Sequence, residues 1–102
     1  MQHYAPAQYR SFFHLLGGSD RSQAASMVLS PGQSTGGPSN RHPRADQWLF
    51  VISGRGEAII ETQQLTLEPG ALVLIEANES HEITAHGDEP LLILNIYAPA
   101  VY

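Results

Sequence analysis

Glycine and proline recur along this chain at intervals too short for any long helix: Gly17-Gly18, Pro31-Gly32, Gly36-Gly37-Pro38, Gly54, Gly56, Pro69-Gly70, Gly87, Pro90 and Pro99. Between them lie apolar runs of four to eight residues, rich in Val, Ile, Leu, Phe and Tyr. Short β-prone runs with regular turn signals predict an all-β sandwich or barrel. No segment of helical length sustains a 3.6-residue period. The expected strands are 9–16, 23–30, 46–53, 56–61, 64–67, 71–76, 80–85 and 91–97, and 31–45 reads as a loop. Ser53-Gly54-Arg55-Gly56 reads as the tight link of a hairpin. Pro69-Gly70 fits the central positions of a type II turn, where the glycine takes positive φ.

Size and composition narrow the classes. A chain of 102 residues makes one small domain with one modest core. The expected barrel covers about 23–98, with strand 9–16 flanking it at a subunit interface. There is no cysteine, which excludes disulfides, thiolate metal ligands and cysteine nucleophiles. No stretch approaches the ~20 apolar residues of a membrane helix, and MQHYAPAQYR carries no signal-like apolar run. A cytoplasmic protein without membrane association is expected. Ten acids against five bases give a formal charge of −5, so a phosphate backbone would be repelled and no nucleic-acid partner is expected.

The stretch with most chemistry is NRHPRADQWLFVISG, residues 40–54. Gln47 stands seven residues before Gly54, and His42 five before Gln47. Further on, Gly70 leads by six residues to Glu76, then to Asn78 and His81. Taken together and in this order, the two segments resemble the paired motifs of the cupin superfamily. The first family motif runs Gly, His-x-His, Glu, Gly; the second runs Gly, Pro-x-Gly, His, Asn. In this chain Asn40 takes the first-His position, Gln47 the Glu, Glu76 the Pro, Asn78 the Gly and Ala85 the last Asn. A second register makes His42 the first His and Arg44 the second. The Asn40 register is preferred because HPRA followed by an acid or amide resembles the cupin sequence after its second His. The resemblance covers roughly 34–97 and implies an antiparallel jelly-roll barrel of the RmlC-like kind, with its site near one open end. A His-x-His…Gln…His set is similar to that of small cupins that linearise unsaturated uronates, with Asn40 as the departure.

That resemblance implies one divalent transition metal per chain (Ni, Zn, Mn, Fe or Cu) on His42, Gln47, His81 and Asn40. Imidazole nitrogen and amide oxygen suit such ions, but a set without a carboxylate binds more weakly than three His and one Glu. Metal held by neutral donors keeps its charge and is a stronger Lewis acid toward an anionic metabolite. Isomerase or lyase chemistry on a sugar acid or keto acid is the leading expectation. Dioxygenase chemistry suits the set less well, because Fe(II) facial triads include a carboxylate. Alternation places Gln47, Leu49 and Val51 on one face of a strand, and Trp48, Phe50 and Ile52 on the other. His81, Ile83 and Ala85 share a face, as do Ile93, Asn95 and Tyr97. Asn95 and Tyr97 are candidate pocket residues, and Arg44 a candidate substrate-carboxylate clamp. Asp46 as general base is weaker than Asp46 as a strand-edge residue. The row Leu92, Leu94, Ile96 exceeds what a thin barrel can bury inside and points to a homodimer. Two other classes stay open: a non-catalytic binding or sensing module for a sugar-like ligand, and a structural dimer without an active site.

Overall fold

The computed structural model describes residues 1–5, 12–37 and 40–102. Nine strands follow in order: β1 Phe13–Gly18, β2 Gln23–Leu29, β3 Ser34–Gly37, β4 Asp46–Ser53, β5 Arg55–Ile60, β6 Gln63–Leu67, β7 Leu72–Ile75, β8 His81–His86 and β9 Leu91–Ala98. They form a five-stranded sheet, order β1-β2-β9-β4-β7, and a four-stranded sheet, order β3-β8-β5-β6. Every pairing is antiparallel. The chain is an all-β jelly-roll barrel.

Strand alternation explains why the two sheets close on each other. β4 alternates exposed and buried from Asp46 onward, and β9 alternates buried and half-buried throughout. The inward set (Leu29, Leu49, Val51, Ala58, Leu67, Ile83, Leu91 and Ile93 among others) makes one apolar core between the sheets. Removing such side chains from water supplies about 1.5–3 kcal/mol each.

Three expectations need correction. The segment 31–45 is not wholly loop: Ser34–Gly37 is a strand paired with β8, from Ser34↔Thr84 to Gly37↔His81. STGG carries no apolar alternation, so its extended form comes from pairing with the edge of β8. The first strand runs 13–18 rather than 9–16; residues 9–11 lie outside the described residues. Pairing with β2, from Phe13↔Met27 to Gly18↔Gln23, draws both glycines into the strand. Finally, β4 and β5 do not form a hairpin. They lie in different sheets, and Gly54 carries the chain across between them. Its φ is +83°, and a Cβ there would lie 2.2 Å from the Pro90 carbonyl oxygen, so only glycine makes the crossing. The turn at Pro69-Gly70 forms as expected, with Ala71 N–H donating to Glu68 O at 2.9 Å and Gly70 at φ +91°.

Candidate functional site

Along the interior, polarity changes at one level of the barrel. β4 runs Gln47, Leu49, Val51 inward; β8 runs His81, Ile83, Ala85; β9 runs Leu91, Ile93, Asn95, Tyr97. Register places Gln47 opposite Tyr97 and Leu49 opposite Asn95. The polar ends of these strands therefore gather at one mouth, above the apolar core. The loop before β4 is docked there by its backbone. His42 O accepts from Asn78 N–H at 2.8 Å, and Asn40 O accepts from His81 N–H at 3.0 Å. Arg41 Nη1 donates to Asn78 O at 2.8 Å, and Asp46 Oδ1 accepts from Ala77 N–H at 2.9 Å. Asp46 thus ties the turn 76–79 to β4, which is its structural role.

The result is a cavity of about 140 Å³. Asn40, His42, Gln47 and His81 supply its polar wall, and Phe13, Met27, Thr35, Ile83, Tyr97 and Tyr102 complete it. The His42 and His81 ring centroids are 5.5 Å apart. Tyr97 meets His42 edge-on at 5.2 Å. Burial lowers the pKa of His42. Burial also lowers that of His81; a hydrogen bond to the Glu79 carbonyl opposes the shift, and the neighbouring His42 adds to it. Burial thus favours the neutral imidazole at both positions. The Tyr97 phenol is pushed well up by burial, with Tyr102 beside it adding to the shift.

Two amides complete the polar wall. Gln47, 2% exposed, donates from Nε2 to Asn95 Oδ1 at 3.0 Å. That bond turns Gln47 Oε1 away from Asn95, and this buried acceptor has no partner among the described residues. Asn40 Nδ2 lies 3.3 Å from His81 Nε2, and His81 Nδ1 lies 3.4 Å from Glu79 O. Nδ1–H donating to Glu79 leaves Nε2 to accept from Asn40.

Of the candidates read from the sequence, Asn40, His42, Gln47, His81 and Tyr97 come together at this cavity. Asn95 is buried next to Gln47 and holds it, rather than lining the cavity. Arg44 is exposed and lies outside the lining. Phe13 and Tyr102 join the site from segments far away in sequence, without a local signal. Met27 and Thr35 could have been found only from the β2–β9 and β3–β8 pairings that turn them inward.

The donor set can be tested against a divalent metal. Atoms sharing one ion at about 2.1 Å lie roughly 3.0–3.4 Å from each other. The 3.3 Å between the Asn40 amide and His81 Nε2 falls in this range, and a half-turn of the amide would present Oδ1 instead of Nδ2. The unpartnered Gln47 Oε1 adds a neutral oxygen. Among the described residues no group of three or more His, Asp or Glu could hold a metal, so the two amides must complete any set. The donor types suit a divalent ion, with Asn40 and His81 the one pair among the described residues at a ligand-sharing distance.

A larger, open cleft of about 390 Å³ lies away from these residues, lined by Arg55, His86, Asp88 and Glu89 among others. It is the larger space, but its charged groups are solvent-facing, and it brings together none of the neutral donors.

Comparison with known proteins agrees with the fold. Residues 25–97 match the family model for the cupin domain. The chain belongs to the cupin family. A protein of Bacillus halodurans, BH2720, superposes with a TM-score of 0.84 at 27% identity, covering 94% of this chain and 76% of that one. An RmlC-like cupin from Desulfovibrio desulfuricans gives 0.82 at 19% identity, covering 99% of both chains. KdgF from Halomonas sp. gives 0.79 at 21% identity, covering 87% of this chain and 78% of that one. Comparison with curated proteins returns no match. No helix among the described residues is long and apolar enough to cross a membrane.

Proposed function

We propose that this cupin holds one divalent transition metal on His42, His81 and Gln47, and binds a small polar metabolite beside it. Isomerase- or lyase-type chemistry on a sugar acid or keto acid is the leading activity. The observation that carries this reading is Gln47 Oε1, a buried acceptor without a partner on the same wall as two neutral imidazoles. A bound metal would supply Lewis acidity toward a carbonyl or enol oxygen. The chain's own residues do the rest. Burial favours the neutral form of both imidazoles, and the bond to Asn95 fixes the Gln47 amide on the cavity wall. Phe13, Met27 and Ile83 give the cavity an apolar wall. Among the described lining residues none is Lys or Arg, and a metal on neutral donors would supply positive charge toward an anionic group on the ligand. The volume of about 140 Å³ suits a small metabolite rather than a drug-sized ligand, which takes roughly 300–1,000 Å³.

The test is metal content by mass spectrometry on untagged protein, wild type beside His81→Ala. About one ion per chain in wild type, lost in the variant, is expected under this reading of transition-metal binding. A chain that takes up none after soaking with Ni, Zn, Mn and Fe ends it. A second reading, a binding module without chemistry, is favoured by the Asn40 amide facing His81 Nε2 where the family pattern has an imidazole. Saturable binding of a sugar acid without turnover distinguishes it.

We also propose a homodimer through the outer face of the five-stranded sheet. Trp48, Phe50, Leu72 and Leu74 are 39–59% exposed there. Leu92, Leu94 and Ile96 lie half-buried on the adjoining strand. These seven outward positions carry no charge, and a patch of this kind is unusual on a monomer. Sedimentation velocity at micromolar concentration tests it; a monomer at all concentrations overturns it.

A further inference from the structure

The cavity mouth is closed by a segment that belongs to neither sheet. β9 ends at Ala98, and residues 99–102 turn back over the site without strand pairing. Among the described residues their backbone is held by one side chain, Gln23 on β2. Gln23 Oε1 accepts from Val101 N–H at 2.8 Å and from Tyr102 N–H at 2.7 Å, and Gln23 Nε2 donates to Tyr102 O at 2.6 Å. The Tyr102 ring then stands over the mouth. Its centroid lies 5.2 Å from Phe13, 5.1 Å from Tyr97 and 5.9 Å from His42. Tyr102 lines the cavity on one side and is 55% exposed on the other. His81, behind it, is only 4% exposed.

We propose that residues 99–102 are a movable strap, with Gln23 as its latch and Tyr102 as the gate that decides what enters the cavity. The inference rests on reading the cavity as a ligand site. Its physical basis is local. Among the described residues the segment has no ladder hydrogen bonds, Tyr102 is more than half exposed, and three bonds to one amide hold its backbone. Segments held in this way open with small free energies, well below that of global unfolding. Opening removes one wall of the cavity and uncovers His42 and His81 while leaving the barrel intact. Because the gate is an aromatic ring packed on three others, a ligand with a flat or apolar face can replace those ring contacts when the strap recloses over it.

The test reads access to the two histidines and requires no metal. Protein treated with chelator is exposed to diethylpyrocarbonate at about pH 8, where free imidazole is neutral. Modification at each histidine is followed by peptide mass spectrometry. His86, outside the cavity and exposed, is the internal reference. Gln23→Leu releases the latch while keeping the ring; Tyr102→Ala removes the ring. The expected result is faster modification of His42 and His81 in both variants, with His86 unchanged. The rise for Gln23→Leu should be at least roughly tenfold, since the variant loses three hydrogen bonds and a single net bond contributes up to about that factor. A rise in Tyr102→Ala alone means a fixed plug and overturns the strap. Unchanged rates in both variants, or a rise shared by His86, overturn it as well. Since the protein is metal-free throughout, none of these outcomes depends on whether the site binds metal, and failure of the metal reading leaves the access result standing.

Discussion

The two faces of the five-stranded sheet differ in an unusual sense. In most half-buried sheets the covered face is apolar and the open face polar. Here β4 and β9 send Leu49, Val51, Leu91 and Ile93 into the core but Gln47, Asn95 and Tyr97 inward at the mouth end, and Trp48, Phe50, Leu92, Leu94 and Ile96 outward. Polar groups on an inner face are costly unless they are partnered, yet Gln47 Oε1 and Asn95 Nδ2 have no partner among the described residues. Apolar groups on an outer face gain from being covered. The inner face thus has the chemistry of a site that accepts a ligand, and the outer face that of a surface that accepts a protein. The same strands do both because their side chains alternate.

The contrast is sharpest between neighbours. Leu49→Ala should lower the unfolding free energy by about 2–5 kcal/mol, since it empties part of the apolar core, and this loss should not depend on protein concentration. Under the proposed dimer, Phe50→Ala should destabilise by an amount that grows as the protein is concentrated. Denaturant titrations at two protein concentrations measure both. A concentration-independent effect at Phe50 would break the assignment of the outer face.

Within the inner face, the order of effects separates ligand from support. His81→Ala should weaken Ni or Zn binding by more than roughly 100-fold, beyond the ~10–100-fold typical of losing an outer partner. Asn95→Leu should fall inside that ~10–100-fold range, since it only frees Gln47 to rotate. Calorimetric titration gives both. Equal losses would make Asn95 more than a support, and no loss in either would leave the inner face to a metal-free ligand.

Gln47→Glu should raise metal affinity on the order of tenfold by adding a charged ligand. It should also lower the stability of the metal-free protein, because a carboxylate would be buried without a cation. Melting with and without metal reads both signs.

The smallest effect is on acid stability. The pKa values of His42 and His81 are lowered from 6.5 on folding. Below 6.5 the unfolded chain therefore binds more protons than the folded one, and stability falls as pH drops through this window. The slope fades about one pH unit above 6.5, where both states are deprotonated. A His42→Asn/His81→Asn double variant should show a flatter loss between pH 7 and 5 in chemical denaturation, and an unchanged slope would assign the acid sensitivity elsewhere.

How much of this is legible in the chain follows from what each feature depends on. Gln47 and Tyr97 turn inward because the period of a strand is two, and this needs only the sequence. Pro69-Gly70 forms its turn because proline and glycine fix local dihedrals. In both cases the cause lies within a few residues. By contrast, Ser34–Gly37 is a strand because β8 offers it an edge, and Gly54 marks a change of sheet rather than a hairpin because Pro90 lies close against it. Arg44 stands only two residues from His42 yet is exposed, because docking of the loop on Asn78 and His81 fixes Asn40 and His42 and leaves Arg44 outside.

The sequence alone therefore determined the barrel class and the inward rows, since periodicity is a local property, and its family resemblance brought forward Asn40, His42, Gln47 and His81, which the fold gathers at one cavity. Only the tertiary structure decided that Asn95 orients Gln47, and that Gln23 and Tyr102, 79 positions apart, close the mouth over both histidines. Such contacts depend on strand order and on which segment returns over the barrel, and no local pattern of side chains encodes either.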